Sequence, residues 1–340
     1  MKVLLTGVTG FLGSHTTIQL LNKGYQVVGT LRDKSRAAGI RSVIGKQTDR
    51  LDLLSFAEAD LSDTSIWKDL MAGIDYVQHI ASPFPRLLPK NESELIEPAR
   101  NGTLAILRAA AEQKVKRVVM TSSIAAVSYG RPTNQRSGNY NETDWTDVSN
   151  KKDTTPYFRS KTIAERAAWD FIASDPSGLE LATVCPGAIL GPVLEKDFGT
   201  SANLVIKCMD GSAPALPKLS FEVVDVRSVA DLQIRAMENP AAANQRFIAT
   251  AGLMNYREIA DVLRAAHPDR KIPKRILPNF AVRLYSNIEP TIKPMLLELG
   301  IQRRLDHSKS VEQLGWTPIS PKEAILSCAS SIFEQGIIKS

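Results

Sequence analysis

Tyr157 and Lys161 stand four residues apart in the stretch TPYFRSKTIAE. On a helix, that interval puts a phenol and an ammonium on one face, a turn apart. A positive charge beside the phenol favours the phenolate and draws the tyrosine pKa from about 10 toward neutrality. Such a tyrosine can donate a proton near neutral pH. An ordinary exposed pair on an amphipathic helix has the same spacing, so the surroundings must decide. The preceding run, VVMTSSIAAV, ends a strand with Ser122 and Ser123. From that edge Ser123 can hydrogen-bond the carbonyl oxygen to which Tyr157 donates, and so stabilise charge developing there. Asn101, in ARNGT, falls mid-helix, where asparagine is a poor helix former. It either orients a water that relays protons to Lys161 or is an exposed, tolerated polar residue.

These groups need a scaffold that gathers strand ends along one edge. KVLLT, YQVVGT, DYVQHIA, KRVVMTSS and LELATVC read as strands. SHTTIQLLNK, stopped by Gly24, TSIWKDLMA, ending at Gly73, and the stretches 93–113 and 157–174 read as helices. Apolar strands separated by helices predict an α/β fold, a doubly wound parallel sheet covered on both faces. After Cys185, proline and glycine cluster and the pattern breaks. Residues 1–185 are therefore read as one domain. Residues 221–250 (FEVVDV, a helix from Ser228, and QRFIAT) return to its sheet. Residues 186–220 and 251–340 form a smaller mixed α/β lobe over the carboxyl edge, where such folds bind ligands. SANLVIKCMDG reads as an amphipathic wall of the pocket. DHSKSVEQLGWTP reads as a helix capped near Gly315 that anchors the smaller lobe.

The first strand runs into LLTGVTGFLGSH, which sets Gly7, Gly10 and Gly13 between a strand and a helix. That context marks a dinucleotide-binding domain. Gly7 permits the tight turn, Gly10 lets a pyrophosphate approach the backbone, and Gly13 lets the helix pack closely. Thr9, Phe11 and Leu12 complete the loop, and the helix N-terminus supplies N–H groups to the phosphates. The second strand ends in LRDKSR rather than in a lone carboxylate for a ribose hydroxyl. Arg32 and Arg36 suit a 2′-phosphate, so NADP is expected over NAD, although Asp33 could instead pair with Arg36. In ADLSD, Asp60 and Leu61 flank the adenine or Asp60 caps the next helix, and Asp63 caps. HIASPF closes the fourth strand, with Ala81, Ser82 and Pro83 lining the cofactor crevice and Phe84 extending toward the substrate.

Composition excludes several alternatives. The 340 residues are 43% hydrophobic and 23% charged, as in a soluble globular protein. The net charge of +6 is scattered, and the basic spots VKRVV and IQRRL lack the interleaved aromatics of a nucleic-acid platform. Three distant cysteines, Cys185, Cys208 and Cys328, give no disulfide framework and indicate a reducing, cytoplasmic setting. The four histidines show no ligand spacing, so no metal is expected. No apolar run approaches the roughly 18 residues of a membrane span, and no leader is read at the N-terminus. The sequons at Asn91, Asn101 and Asn141 are then chance matches.

The order of glycine loop, strand-end serine and Tyr-x-x-x-Lys resembles the extended branch of the short-chain dehydrogenase/reductase superfamily, whose sheet domain is a Rossmann fold. HIASPF, TSSIAAV, YFRSK, CPGAILGP, VVDVRSVADL and LGWTP carry the resemblance across nearly the whole chain. Through ASPF, YNETDW and SKTIAERAAWDFI the chain is similar to the dihydroflavonol-reductase-like carbonyl reductases, aldehyde and methylglyoxal reductases among them. The resemblance implies NADPH/NADP+ as cofactor and reduction of an aldehyde or ketone to the alcohol. Ser123, Tyr157 and Lys161 are then catalytic, and Tyr157 and Lys161 also touch the cofactor. Many relatives have NPG where this chain has CPG. Cys185 is read as a small packed hydrophobe, with Pro186 and Ile189 beside the nicotinamide amide. The implied substrate pocket comprises Phe84, Ser123, Ile124, Tyr157, Gly187, Pro192 and Val193, and suits an apolar or aromatic carbonyl compound. A nucleotide-sugar epimerase or dehydratase with bound NAD shares the fold, but Arg32 and the apolar pocket disfavour it. A non-enzymatic NADP sensor is disfavoured because both Tyr157 and Lys161 are kept. The small-molecule substrate is the expected partner, and the chain is read as a monomer or a homodimer joined through the helices of 93–113 and 157–174.

Overall fold

The computed structural model describes residues 1–83, 91–196, 198–288 and 290–338. Phe84, expected to reach toward the substrate, lies outside them. The first part of the chain runs β1 (Lys2–Thr6), α1 (Phe11–Asn22), β2 (Gln26–Leu31), α2 (Ala37–Gly45), β3 (Leu54–Glu58) and α3 (Trp67–Leu70). It continues through β4 (Tyr76–His79), α4 (Ser93–Glu112), β5 (Arg117–Thr121), β6 (Gly138–Tyr140), α5 (Pro156–Ser174) and β7 (Glu180–Pro186). Then come β8 (Ala188–Leu190), α6 (Asn203–Met209), β9 (Leu216–Pro217), β10 (Ser220–Asp225), α7 (Val226–Glu238) and β11 (Gln245–Ala249). The last part holds β12 (Gly252–Asn255), α8 (Tyr256–Ala266), β13 (Ile276–Leu277), α9 (Asn279–Tyr285), β14 (Arg303–Leu305), α10 (Ser308–Leu314) and α11 (Pro321–Glu334).

Seven parallel strands form the main sheet in the order β11-β7-β5-β4-β1-β2-β3. Side chains alternate across a strand, and here both faces are apolar. Val3, Leu5, Val27 and Val119 pack with residues of α1, α2 and α7, whereas Leu4, Val77, Val118 and Met120 pack with those of α3, α4 and α5. The sheet is thus doubly wound, as the apolar runs require. The chain lays β2 and β3 to one side of β1 and then crosses to place β4 on the other. That reversal opens a crevice beyond the carboxyl ends of β1 and β4, where ligands bind in such sheets.

The stretch 221–250 was expected to rejoin this sheet as a whole, and it divides. β11 takes the edge beside β7, with Phe247 opposite Val184. β10 instead lies between β8, parallel, and β12, antiparallel, in a separate three-stranded sheet. The edge of β7 holds one strand, and β11 occupies it. Gly187 makes the second sheet possible, since a Cβ there would sit 2.2 Å from the Glu222 carbonyl oxygen. Against that sheet, Val205 of α6, Ile259 of α8, and Ile325 and Ile332 of α11 build the core of the smaller lobe. α6 therefore packs within the lobe. α10 ends at Gly315 in the left-handed region (φ 61°), as its sequence predicts. Its following Trp316 is buried with the main-sheet core rather than with the smaller lobe, and Nε1 donates to the Ser228 carbonyl at 2.9 Å.

Buried polar groups tie these parts together. Arg117 of β5, 1% exposed, donates to the Ala236, Met237 and Asn239 carbonyls at 2.8, 3.1 and 2.6 Å. A cation there satisfies the orphan acceptors of the α7 C-terminus and complements its dipole. His15 of α1 hydrogen-bonds through Nε2 to the Pro192 carbonyl at 2.9 Å, holding the segment after β8 against the glycine loop. Among the described residues, no helix is long and apolar enough to cross a membrane.

Candidate active site

The glycine loop forms the floor of the crevice. Gly7 has φ 77°, and the Gly10 N–H donates back to its carbonyl at 3.0 Å, closing the turn. A Cβ on Gly13 would lie 2.0 Å from the Gly7 oxygen, so only glycine lets α1 start this close to the strand. Gly10 differs. A Cβ there would meet nothing nearer than 3.4 Å, so the space that its hydrogen leaves open is on the outside. No side chain caps α1, and its first turn has no acidic residue. Its first N–H groups and positive dipole end thus remain available, beside Thr9, Phe11 and Leu12, to an anion. A pyrophosphate fits this cradle.

The chemistry-bearing side chains converge at the end of β5. Ser123 N-caps a short turn, its Oγ accepting from the Ala125 N–H at 3.1 Å. Ser122, its neighbour, turns the opposite way and donates to Glu165 at 2.6 Å. α5 begins at Pro156 after a Thr155 cap whose Oγ1 accepts from the Phe158 N–H at 3.2 Å. This rigid start places Tyr157 in the first turn. Phe158 stacks on Tyr129 with ring centroids 4.0 Å apart. The Tyr157 phenol is hydrogen-bonded to Ser123. Lys161, one turn on and 6% exposed, reaches the Thr121 carbonyl with Nζ at 3.3 Å.

The expected lowering of the Tyr157 pKa is not what this arrangement gives. Burial raises it, because a desolvated phenolate is costly, and the Ser123 hydrogen bond opposes that rise. Lys161 bears the larger change. Burial brings its ammonium down to about 8, against the Glu165 carboxylate, which favours the charged form. Tyr157 therefore holds its proton at neutral pH.

The remaining expected residues divide. Leu61, Ala81, Ser82, Pro83 and Lys161 line one small cavity, joined by Thr103 and His79. Asn101 is not there. Two positions from Ala99 and Thr103, which do face the cavity, it turns to the far side of α4 and is exposed in a groove with Ser62 and Glu97. That placement fits the other reading of Asn101, an exposed and tolerated polar residue. Asp60 binds its own Ser62 N–H and hydroxyl at 2.8 and 2.6 Å, and Asp63 caps Ser65 in the same way. Asp33 binds the Ser35 N–H at 2.9 Å, whereas Arg36 donates from one nitrogen to both Glu195 oxygens at 3.1 Å. Arg32 is exposed at the end of β2.

On the substrate side, Val193 is 2% exposed and packs inside the smaller lobe, its N–H bonded to Ser331 at 2.7 Å. It lines no pocket. Ile124 packs against Val127, Tyr140 and Cys185. Gly187 serves the β10 crossing described above, Pro186 is buried at the end of β7, and Ile189 packs against the main core. Cys185 is 1% exposed, as a small packed hydrophobe should be, and burial pushes its thiol up to about 12. Sequence reasoning missed Thr103 and His79. Thr103 shares the helical phase of buried Ala99, and His79 ends a strand whose neighbours were assigned.

The sequence profile of the NAD dependent epimerase/dehydratase family matches residues 3–250. The ketoreductase azaE of Aspergillus niger is 33% identical over 98% of this chain and 98% of its own. The dihydroflavonol 4-reductase of Zea mays is 31% identical over 93% of this chain and 83% of its own. Among solved structures, yeast methylglyoxal/isovaleraldehyde reductase, complexed with NADPH, superposes with a TM-score of 0.82 at 28% identity, covering 98% of both chains. A doubly wound sheet with a glycine loop at its first turn, matched over its length by these relatives, makes this chain a member of the NAD dependent epimerase/dehydratase family, in the extended short-chain dehydrogenase/reductase branch.

Proposed function

We propose that the chain reduces an aldehyde or ketone to the alcohol with NADPH. The observation that carries this reading is the convergence of Ser123, Tyr157 and Lys161 at the carboxyl end of β5, beside a small cavity whose Ala81 abuts Gly7 of the glycine loop. Relatives that are reductases, one of them solved with NADPH, support it. NADPH, when bound, supplies the hydride. Gly7, Gly10, Gly13 and the α1 N-terminus would hold its pyrophosphate. Arg32 and Arg36 would hold the 2′-phosphate, with Asp60 and Leu61 at the adenine and Ala81, Ser82, Pro83, Pro186 and Ile189 along the crevice.

The side chains divide the remaining work. The Tyr157 hydroxyl gives its proton to the carbonyl oxygen as that oxygen becomes an alkoxide. Ser123 donates a hydrogen bond to the same oxygen and so fixes the carbonyl against the phenol. The Lys161 ammonium, in a low-dielectric site, stabilises the phenolate left behind until solvent returns its proton. The alcohol then carries the hydride on carbon and the tyrosine proton on oxygen. In this reading the cofactor lies on the domain of residues 1–185, and the smaller lobe closes over an apolar or aromatic substrate.

The test is consumption of NADPH, in parallel with NADH, on a panel of aldehydes, an aryl ketone, a β-keto ester and a flavanonol. Turnover that Tyr157→Phe lowers by about a thousand-fold or more, with NADPH binding retained, is the expected result. No turnover on any carbonyl, with NAD retained by the purified protein, would replace this reading with the epimerase one.

A further inference from the structure

Beneath the catalytic residues lies a buried carboxylate that the mechanism above does not use. Glu165 stands one turn beyond Lys161 on α5 and two beyond Tyr157, so the three share a helix face. It is 0% exposed. Oε1 accepts from Arg246 Nε at 2.8 Å, Thr183 Oγ1 at 2.8 Å and Trp169 Nε1 at 3.3 Å. Oε2 accepts from Ser122 Oγ at 2.6 Å and Arg246 Nη2 at 3.3 Å, with the Cys185 sulfur at 3.9 Å. One carboxylate thus joins α5, the end of β5, β7 and β11. Arg246 is fixed from behind, donating to the Glu142 and Asp144 carbonyls at 2.6 and 2.9 Å and lying 3.7 Å over the Trp145 ring.

Burying such a pair is costly, and an apolar pair of similar volume is often at least as stable. Its location offers another reason for it. Lys161 faces Tyr157 and Glu165 from its own helix, the Thr121 carbonyl from β5, neutral His79 from β4 and the Cys185 thiol from β7, with Arg246 of β11 beyond the carboxylate. Of these, Glu165 does most to favour the ammonium. Through Ser122 it also fixes the strand end that aims Ser123.

We propose that Glu165, held by Arg246, is a positioning residue of this site. It keeps Lys161 in its charged form and locks the strand end beneath Ser123. This rests on the function proposed above for its catalytic meaning, whereas its effect on Lys161 can be read without turnover.

The experiment compares Glu165→Gln, the conservative Glu165→Asp, and the double variant Glu165→Leu/Arg246→Met, which replaces the pair by apolar groups and so guards against an unpaired buried charge. Two readouts are taken across pH. One is kcat for carbonyl reduction. The other is acetic-anhydride labelling of Lys161, followed by peptide mass spectrometry. In the wild type, labelling should rise with a midpoint near 8. Without the carboxylate the expected midpoint and the basic limb of kcat both move down by about one pH unit. kcat near neutral pH falls about three-fold or more, the KM for NADPH is little changed, and Glu165→Asp recovers most of the loss. An unchanged labelling midpoint in folded Glu165→Gln or in the double variant overturns the proposal. A shifted midpoint in a protein with no carbonyl turnover upholds the effect on Lys161 and refutes the function proposed above.

Discussion

Two alanine substitutions in the glycine loop should separate its folding role from its binding role. At Gly13 the added Cβ would fall 2.0 Å from the Gly7 oxygen and 2.9 Å from its carbon. Real Cβ contacts stop near 3.0 Å, so α1 must move about 1 Å away from the strand end. Overpacking of this size costs about 1–3 kcal/mol. In a chain this long that corresponds to a fall in Tm of roughly 1–4 °C. The same movement takes the first N–H groups of α1 away from the phosphates, so NADPH affinity should drop as well. At Gly10 the backbone is extended, with φ −82° and ψ 162°, and the Cβ meets only the Gly7 oxygen at 3.4 Å. Alanine is at ease there, and the loss of chain freedom when unfolded raises stability by about 0.5 kcal/mol. Its methyl would nevertheless stand where the pyrophosphate must approach. Gly10→Ala should keep or slightly raise Tm and weaken NADPH binding about ten-fold or more. Scanning calorimetry and fluorescence titration with NADPH read both quantities. A Gly10→Ala protein that binds NADPH normally, or that melts as early as Gly13→Ala, would refute the reasoning.

Other consequences follow from charge placement. Glu222 is 5% exposed, burial pushes its carboxyl up to about 7, and it accepts from the Leu305 N–H at 2.9 Å. The folded protein therefore keeps a proton that the unfolded chain releases near 4.5, and stability is lost as pH rises from about 4.5 to about 7. Glu222→Gln should stabilise by up to about 3 kcal/mol at pH 8 and by little at pH 5, as measured by urea unfolding. An equal gain at both pH values would contradict this. Arg32→Ala and Arg36→Ala should each raise the KM for NADPH about ten-fold or more and leave that for NADH within a factor of two. Equal effects on both cofactors would remove the 2′-phosphate assignment.

The sequence made the main sheet readable because each parallel strand is buried on both faces, so its apolar run stands out without knowledge of its neighbours. KVLLT and KRVVMT are such runs, and β1 and β5 are where they fall. That Tyr157 and Lys161 share a helix was readable because helical spacing is local. What failed depends on partners distant in the chain. FEVVD is as apolar as a main-sheet strand, and only the presence of β11 on the β7 edge sends it elsewhere. Asn101 and Thr103 differ by two positions, half a helical turn, and the amphipathic pattern of α4 carries small residues on several sides. Val193 was placed in the pocket by the family resemblance, whereas its side chain is buried in the smaller lobe and its N–H bonds Ser331 of α11. Glu165 passed unnoticed since nothing in its own helix names Arg246, 81 residues away, as its partner.

The central claim is that hydride goes from NADPH to a carbonyl carbon while Tyr157 supplies the proton. Its most direct test uses NADPH deuterated at the transferring position, with each active carbonyl compound of the panel, and mass spectrometry of the product. The account predicts an alcohol one mass unit heavier, labelled on the former carbonyl carbon, formed at a rate that collapses in Tyr157→Phe. An unlabelled product, or full activity in Tyr157→Phe, would contradict it.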